Sequence, residues 1–160
     1  MTSLLPATLA VALLAQVMTA AKPDFSGTLT MDRERSESAM QEQPIGTVTV
    51  SVKHTGTNLI IERTRDGKLE VAKYTIEEKP DSPGVMGAGT HRAYWDGSRL
   101  ITEGSGNVQG QTVSVREART LNANGTEMTI ETTVTVQHGY TLRGAKNYAT
   151  GKDIYTRTAR

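Results

Sequence analysis

A chain of 160 residues with a formal net charge of +1 suits one domain of ordinary size and offers no concentrated basic face of the kind that nucleic acid requires. It contains no cysteine, which excludes disulfides, a thiol nucleophile and thiolate metal sites. Aromatic residues are scarce while threonine, at 24 positions, is abundant; β-branched side chains fit a pleated, half-buried surface, so the composition favours strands, with much of the Thr facing water.

Leu4 to Met18 is apolar and uncharged, and the first charged residue is Lys22. The run is too short for a comfortable membrane span. Thr19-Ala20-Ala21 places small residues where a signal peptidase reads them, so residues 1–21 are read as a signal helix cleaved after Ala21 and residues 22–160 as the mature domain. No Lys or Arg precedes the apolar run, unlike the usual signal. A membrane anchor or a buried helix is the alternative.

Phe25 to Met31 reads as a first strand. Asp32 to Gln43 is polar and charged, and Asp32 could cap a short helix there, ended by Pro44. From Ile45, Val48, Val50 and Val52 alternate with Thr47, Thr49 and Ser51, the period of a half-buried strand. His54-Thr55-Gly56 turns into a strand over 58–65, and Asp66-Gly67 turns that into 68–78. Lys79 to Gly89, dense in Pro and Gly, is expected to be the longest loop. A strand over 90–95 turns at Asp96-Gly97 into 99–103, and Gly104 to Gly110 reads as a second flexible loop. Gln111 to Leu121 turns at Asn124-Gly125 into a strand that alternates up to Gly139. Tyr140 to Asn147 and Lys152 to Thr158, separated by Gly151, complete the series.

Asp-Gly and Asn-Gly suit type I′ turns, which need positive φ at both central residues. The chain therefore reads as hairpins laid side by side. So many strands in one meander would expose unpaired edges unless the sheet closes. The predicted fold is all-β, an antiparallel up-and-down barrel of about eight to ten strands, with the signal helix before it and a short helical or irregular linker after the first strand.

Three stretches carry a resemblance. Pro23-Asp24-Phe25-Ser26-Gly27-Thr28-Leu29 resembles the opening of lipocalin-like and fatty-acid-binding-protein-like barrels, with Leu29 where such barrels often carry Trp. Tyr94-Trp95-Asp96-Gly97-Ser98-Arg99-Leu100, and Arg119-Thr120-Leu121 leading through Asn124-Gly125 to Met128-Thr129-Ile130, resemble two stretches of a group of small exported bacterial proteins of calycin-like fold and poorly known function. The resemblance implies a barrel more firmly than an activity, and a periplasmic or secreted location.

Chemistry is sparse. His54, His91 and His138 lie far apart in sequence and near turns, so no local metal pair or triad is visible. Ser26, Ser98 and Ser105 are not in a nucleophile elbow, and the Gly-rich stretches at 84–89 and 104–110 lack the Lys-Ser/Thr ending of a phosphate loop. Asn124-Gly125-Thr126 fits a glycosylation acceptor, although a hairpin turn explains the same residues. Glu77, Glu78, Glu103, Glu117 and Glu131 fall on different strands, and an acid–base pair among them is conceivable without a reason to choose two. Arg116, Arg119, Arg143 and Arg157 all lie in the C-terminal half. Tyr155 and Arg157 are two apart and share a strand face. Fatty-acid-binding barrels hold a carboxylate with such a pair on the final strand, here in reversed order, and a guanidinium fork with a phenol suits that task. The alternatives are an Arg157 on the outer rim and a Trp95 that anchors packing at one barrel end.

The combined reading is an exported barrel that binds a small apolar, amphipathic or carboxylate ligand, with Arg119, Tyr155, Arg157 and Trp95 as the ligand-binding candidates. It expects no catalytic residue, metal, cofactor or nucleic acid, no membrane span after signal cleavage, and a monomer. A filled structural or interaction barrel of the cell envelope is the rival. A hydrolase or isomerase using an interior carboxylate ranks below both.

Overall fold

The computed structural model describes residues 21–39, 46–81, 86–137 and 147–157. The signal helix, the Pro44 stop, the strand expected to begin at Tyr140, and His138 and Arg143 lie outside them. Nine strands form one closed barrel in chain order: β1 (Gly27–Glu37), β2 (Val48–Thr55), β3 (Asn58–Arg65), β4 (Lys68–Glu77), β5 (His91–Asp96), β6 (Arg99–Val108), β7 (Gln111–Leu121), β8 (Glu127–Gln137) and β9 (Tyr148–Arg157). β9 returns to pair with β1, Met31 opposite Tyr155, so the first and last strands leave no edge between them. Among the described residues no helix is long and apolar enough to cross a membrane.

The barrel is not wholly antiparallel. β4 and β5 run parallel and pair only at Ile76↔Ala93 and Glu77↔Tyr94. The Pro- and Gly-rich connection between them is too long for a hairpin, and it carries the chain back along the barrel before β5 begins. Residues 32–37, the first part of the expected linker, extend β1 to Glu37, and residues 40–43 of it lie outside the described residues. The register with β9 shifts between Asp32 and Glu37, a bulge. Asp32 does act as a cap, since its carboxylate accepts from the Arg35 backbone N–H at 3.3 Å and from Arg35 Nε at 2.6 Å, but the cap stabilises the bulge rather than a helix.

Three other boundaries differ from the sequence reading. Gly104 and Gly106 do not open a loop, because both sit in β6 paired with Val115 and Val113. Gly151 does not divide two strands. It lies within β9 opposite Thr132, and its missing side chain makes room for the backbone of Glu37, Ser38 and Ala39 at the bulge. Only one of the three Asp/Asn-Gly pairs forms the expected two-residue turn with both φ positive, Asp66 at 49° and Gly67 at 79°. Asp96 is the last residue of β5, and Asn124-Gly125 lies in a longer loop closed by the Asn122 side chain, whose Oδ1 accepts from the N–H groups of Thr126 and Glu127.

Alternation along each strand separates an inner from an outer face. Phe25, Leu29, Val52, Leu59, Leu100 and Met128 are fully buried inside and fill one end. Trp95 completes that closed end, its ring 6.0 Å from Phe25 and 5.8 Å from His54, with Lys22 Nζ 5.3 Å above it. Phe25 and Trp95 thus supply the aromatic part of the floor, with Leu29 buried in the same cluster. On the outer face, Tyr94, Ile101 and Ala118 form a small second cluster beside Glu103, which binds Arg92 Nε at 2.6 Å and accepts from the Tyr94 hydroxyl at 3.0 Å.

Candidate functional site

The inner face changes character halfway up. Ile61 and Arg63 are consecutive inward positions of β3, as are Leu100 and Thr102 of β6, and Leu121, Arg119 and Glu117 of β7. The step from apolar to charged side chains on all three strands produces one polar layer above the apolar floor. Glu117 is its centre. Arg63 Nη2 donates to Glu117 Oε1 at 2.6 Å, Arg119 Nη2 donates to Oε2, and the Thr102 hydroxyl lies 3.4 Å from Oε2. Arg119 Nη1 also donates to Thr102 Oγ1 at 2.6 Å. Such charge-assisted bonds are the strong kind, and a buried carboxylate without them would carry a large desolvation cost.

Burial alone would raise the Glu117 pKa, but the charges and hydrogen bonds of Arg119 and Arg63 outweigh it and hold the carboxyl down at about 2. Burial likewise works against the Arg63 charge, and Glu117 reverses that, keeping the guanidinium protonated above its ordinary range. Tyr155, 2% exposed, is pushed up to about 12 by burial and sits within the field of Arg63, Asp153, Glu117 and Arg119, so it stays a neutral hydroxyl. A carboxyl depressed in the fold contributes stability that is present above its unfolded pKa and is lost as pH falls through that value toward the folded one. Acid titration is therefore expected to remove about 3 kcal/mol between roughly pH 4.5 and pH 2 through this one group. Urea unfolding at a series of pH values, compared with Glu117→Gln, checks it; an unchanged slope in that window for the variant would show that other carboxylates dominate.

Two guanidiniums meet the Glu117 carboxylate in this layer, with the Glu70 carboxylate opposite Arg63 on the β3–β4 ladder, and the Nε groups of both arginines are buried without a hydrogen-bond partner. A cavity of about 120 Å³ opens beside them, lined by Ile61, Arg63, Glu70, Val71, Ala72, Tyr74, Glu117 and Arg119. Above it the inner wall is thinly covered by the described residues. Val113, Val134 and Val136 are half-buried, and Val115, although inward-facing, is 36% exposed. A side-chain Cβ added at Gly104 or Gly106 would meet nothing within 4 Å.

The four residues singled out from the sequence separate into two groups. Arg119 and Tyr155 lie at the polar layer. Trp95 lies at the closed end against Phe25, and Arg157 is there too, although it shares Tyr155's inward face. All of its donors go to backbone carbonyls, of Gly125, Ser26 and Asp24, so it ties the lead-in to β1 and the β7–β8 loop across that end. Arg63 and Thr102 went unnoticed in the sequence, and Glu117 had no assigned partner. Their signal was the inward parity they share with Ile61, Leu100 and Arg119. His54 meets a backbone carbonyl, His91 packs edge-on to Tyr74 at 5.5 Å, and among the described residues no group of His, Asp and Glu could hold a metal ion.

No protein-family model and no curated protein matches the chain. Among solved structures the barrel is similar to a secretary abundant heat soluble (SAHS) protein from Ramazzottius varieornatus, at 8% identity over 88% of this chain and 98% of that one, with a TM-score of 0.43. It is also similar to the fatty acid transporter REP1-NXSQ, at 12% identity over 85% and 97% of the two chains, with a TM-score of 0.39. These likenesses are of fold.

Proposed function

We propose that the chain is an exported ligand-binding barrel that takes a small amphipathic anion. Its charged end would lie against Arg119 and Arg63 above Tyr155, and its apolar end along Val113, Val115, Val134 and Val136. The observation that carries this reading is the thinly packed inner wall among the described residues: a barrel filled for stability alone would not leave one inward valine exposed and three only half-buried beside two inward glycines. The buried Nε donors of Arg63 and Arg119, which have no hydrogen-bond partner, support an anionic acceptor. Export is supported by the apolar run before Lys22 and its small-residue flank.

The filled-barrel reading has one observation in its favour. The cavity beside the arginines, about 120 Å³, is well below the roughly 300 Å³ at which small-molecule sites usually begin. A second cavity, of about 320 Å³, lies where β4 and β5 part, lined by Leu59, Ile60, Lys73, Tyr74, Thr75 and His91, so room for a chain of carbons is not confined to the open half. Displacement of an anionic naphthalene dye by octanoate, with octanol as the uncharged control, distinguishes the two. Octanoate is expected to compete at least about tenfold better than octanol, and Gly104→Leu, which fills open space, is expected to weaken both at least about tenfold without lowering stability. Absence of dye uptake, or a Gly104→Leu variant that binds as the parent does, would leave the filled barrel as the reading.

A further inference from the structure

The barrel wall is incomplete along β4. This strand pairs with β3 from Asn58↔Thr75 to Arg65↔Lys68, but with β5 only at its last two residues. Among the described residues, 68–75 therefore have a strand neighbour on one side only. The phase of the free side follows from the turn. In a two-residue hairpin the closing pair, here Arg65 and Lys68, exchanges both hydrogen bonds. Alternation then aims the N–H and C=O groups of Leu69, Val71, Lys73 and Thr75 away from β3. The Ile76 N–H donates to the Thr57 carbonyl at 2.7 Å, which agrees with that phase. The outward side chains on the same edge are apolar at two positions, Leu69 at 59% and Val71 at 49% exposure. No proline interrupts residues 68–75, and no register shift does so in the β3–β4 ladder. These are two of the devices that usually protect an edge.

We propose that this edge binds a second copy of the chain, the two β4 strands pairing antiparallel about a two-fold axis at Val71. In that register Val71 faces the second copy's Val71, and Leu69 faces the second copy's Lys73, whose methylenes can lie along the leucine while the ammonium stays in water. Leu69, Val71 and Lys73 each exchange two backbone hydrogen bonds, about six in all. The charge pattern selects this axis over its neighbours. An axis at Glu70 would set two carboxylates directly opposite each other, and an axis at Lys73 two ammoniums; like charges in that position are destabilising. An axis at Ala72 would need Thr75, next to the Ile76↔Ala93 pair where β5 already occupies the edge. A second copy is favoured over an unrelated extended segment because the hydrogen-bond phase matches itself about Val71, the two exposed valines meet, and this axis sets no like charges opposite each other. The proposal does not rest on the ligand reading.

Sedimentation equilibrium across roughly 10 µM to 1 mM, with the charge-swap pair Val71→Lys and Val71→Glu, tests it. The parent is expected to shift from monomer to dimer in this range. Each variant alone is expected to stay monomeric, and an equal mixture of the two to associate at least about tenfold more tightly than either alone, since the axis brings the substituted positions together. Amide exchange on the parent gives a reading that requires no variant: protection of Leu69, Val71 and Lys73 is expected to rise with concentration, while Glu70 and Ala72, already bonded to β3, do not change. A parent that remains monomeric throughout, a mixture that associates no better than its components, or concentration-dependent protection confined to other strands would overturn the proposal.

Discussion

Arg119→Ala is expected to lower the unfolding free energy by about 3–5 kcal/mol, measured by urea denaturation at neutral pH and one fixed protein concentration. Arg119 is 1% exposed and binds both Glu117 and Thr102. Its removal leaves Glu117 with Arg63 and the long Thr102 contact at 3.4 Å, and the Thr102 hydroxyl without its donor. The loss would come mostly from the partners left behind rather than from the worth of the pair. The control separates these: Glu117→Leu combined with Arg119→Met removes both charges and keeps volume, and it is expected to lie closer to the parent than Arg119→Ala does. Arg63, with a side chain 27% exposed and Glu70 across the ladder, retains a route to water and to a carboxylate in that double variant. A single variant within about 1 kcal/mol of the parent would mean that the layer relaxes freely and that Glu117 does not depend on Arg119.

That outcome, a costly disruption beside a nearly neutral apolar replacement, would mean that stability alone does not account for the Arg63–Glu117–Arg119 constellation. Parts of the fold were legible in the sequence. β3 and β7 were legible to the residue because glycine-containing turns bound them, at Gly56 and Gly67 for β3 and at Gly110 and Asn124-Gly125 for β7. β6 and β9 were not. Gly104, Gly106 and Gly151 read as breaks, whereas the first two are sites where the wall has nothing to pack against and the third is where the β1 bulge approaches. The parallel β4–β5 contact could not be read either, since it depends on the path of the long loop and not on any local pattern. At the site, Tyr155 was legible from its spacing to Arg157, but spacing gives a face and not a height. Arg157 shares that face and ends at the closed end, bound to carbonyls of the lead-in. Arg63 was the residue most open to discovery, as the first charged position to follow Leu59 and Ile61 on one face.

Phe25→Ala is expected to cost about 3–5 kcal/mol, in the range of a fully buried aromatic ring truncated in a core. Phe25 precedes β1, so its burial holds down the lead-in segment whose carbonyls at Asp24 and Ser26 accept from Arg157. Loss of the ring removes apolar contact with Trp95 at 6.0 Å and loosens that clasp at the same time. A double-mutant cycle with Trp95→Ala is expected to show a coupling of about 0.5–1.5 kcal/mol, the scale of a tilted aromatic pair beyond its area. The cycle also decides the role of the tryptophan. If Trp95 serves the closed end, both single variants lose stability while octanoate affinity per folded molecule stays within about twofold of the parent, because the polar layer stands between this end and the open half. If Trp95 touches the ligand, Trp95→Ala loses affinity that Phe25→Ala keeps, and the boundary between the packed half and the binding half would have to be moved down to the floor.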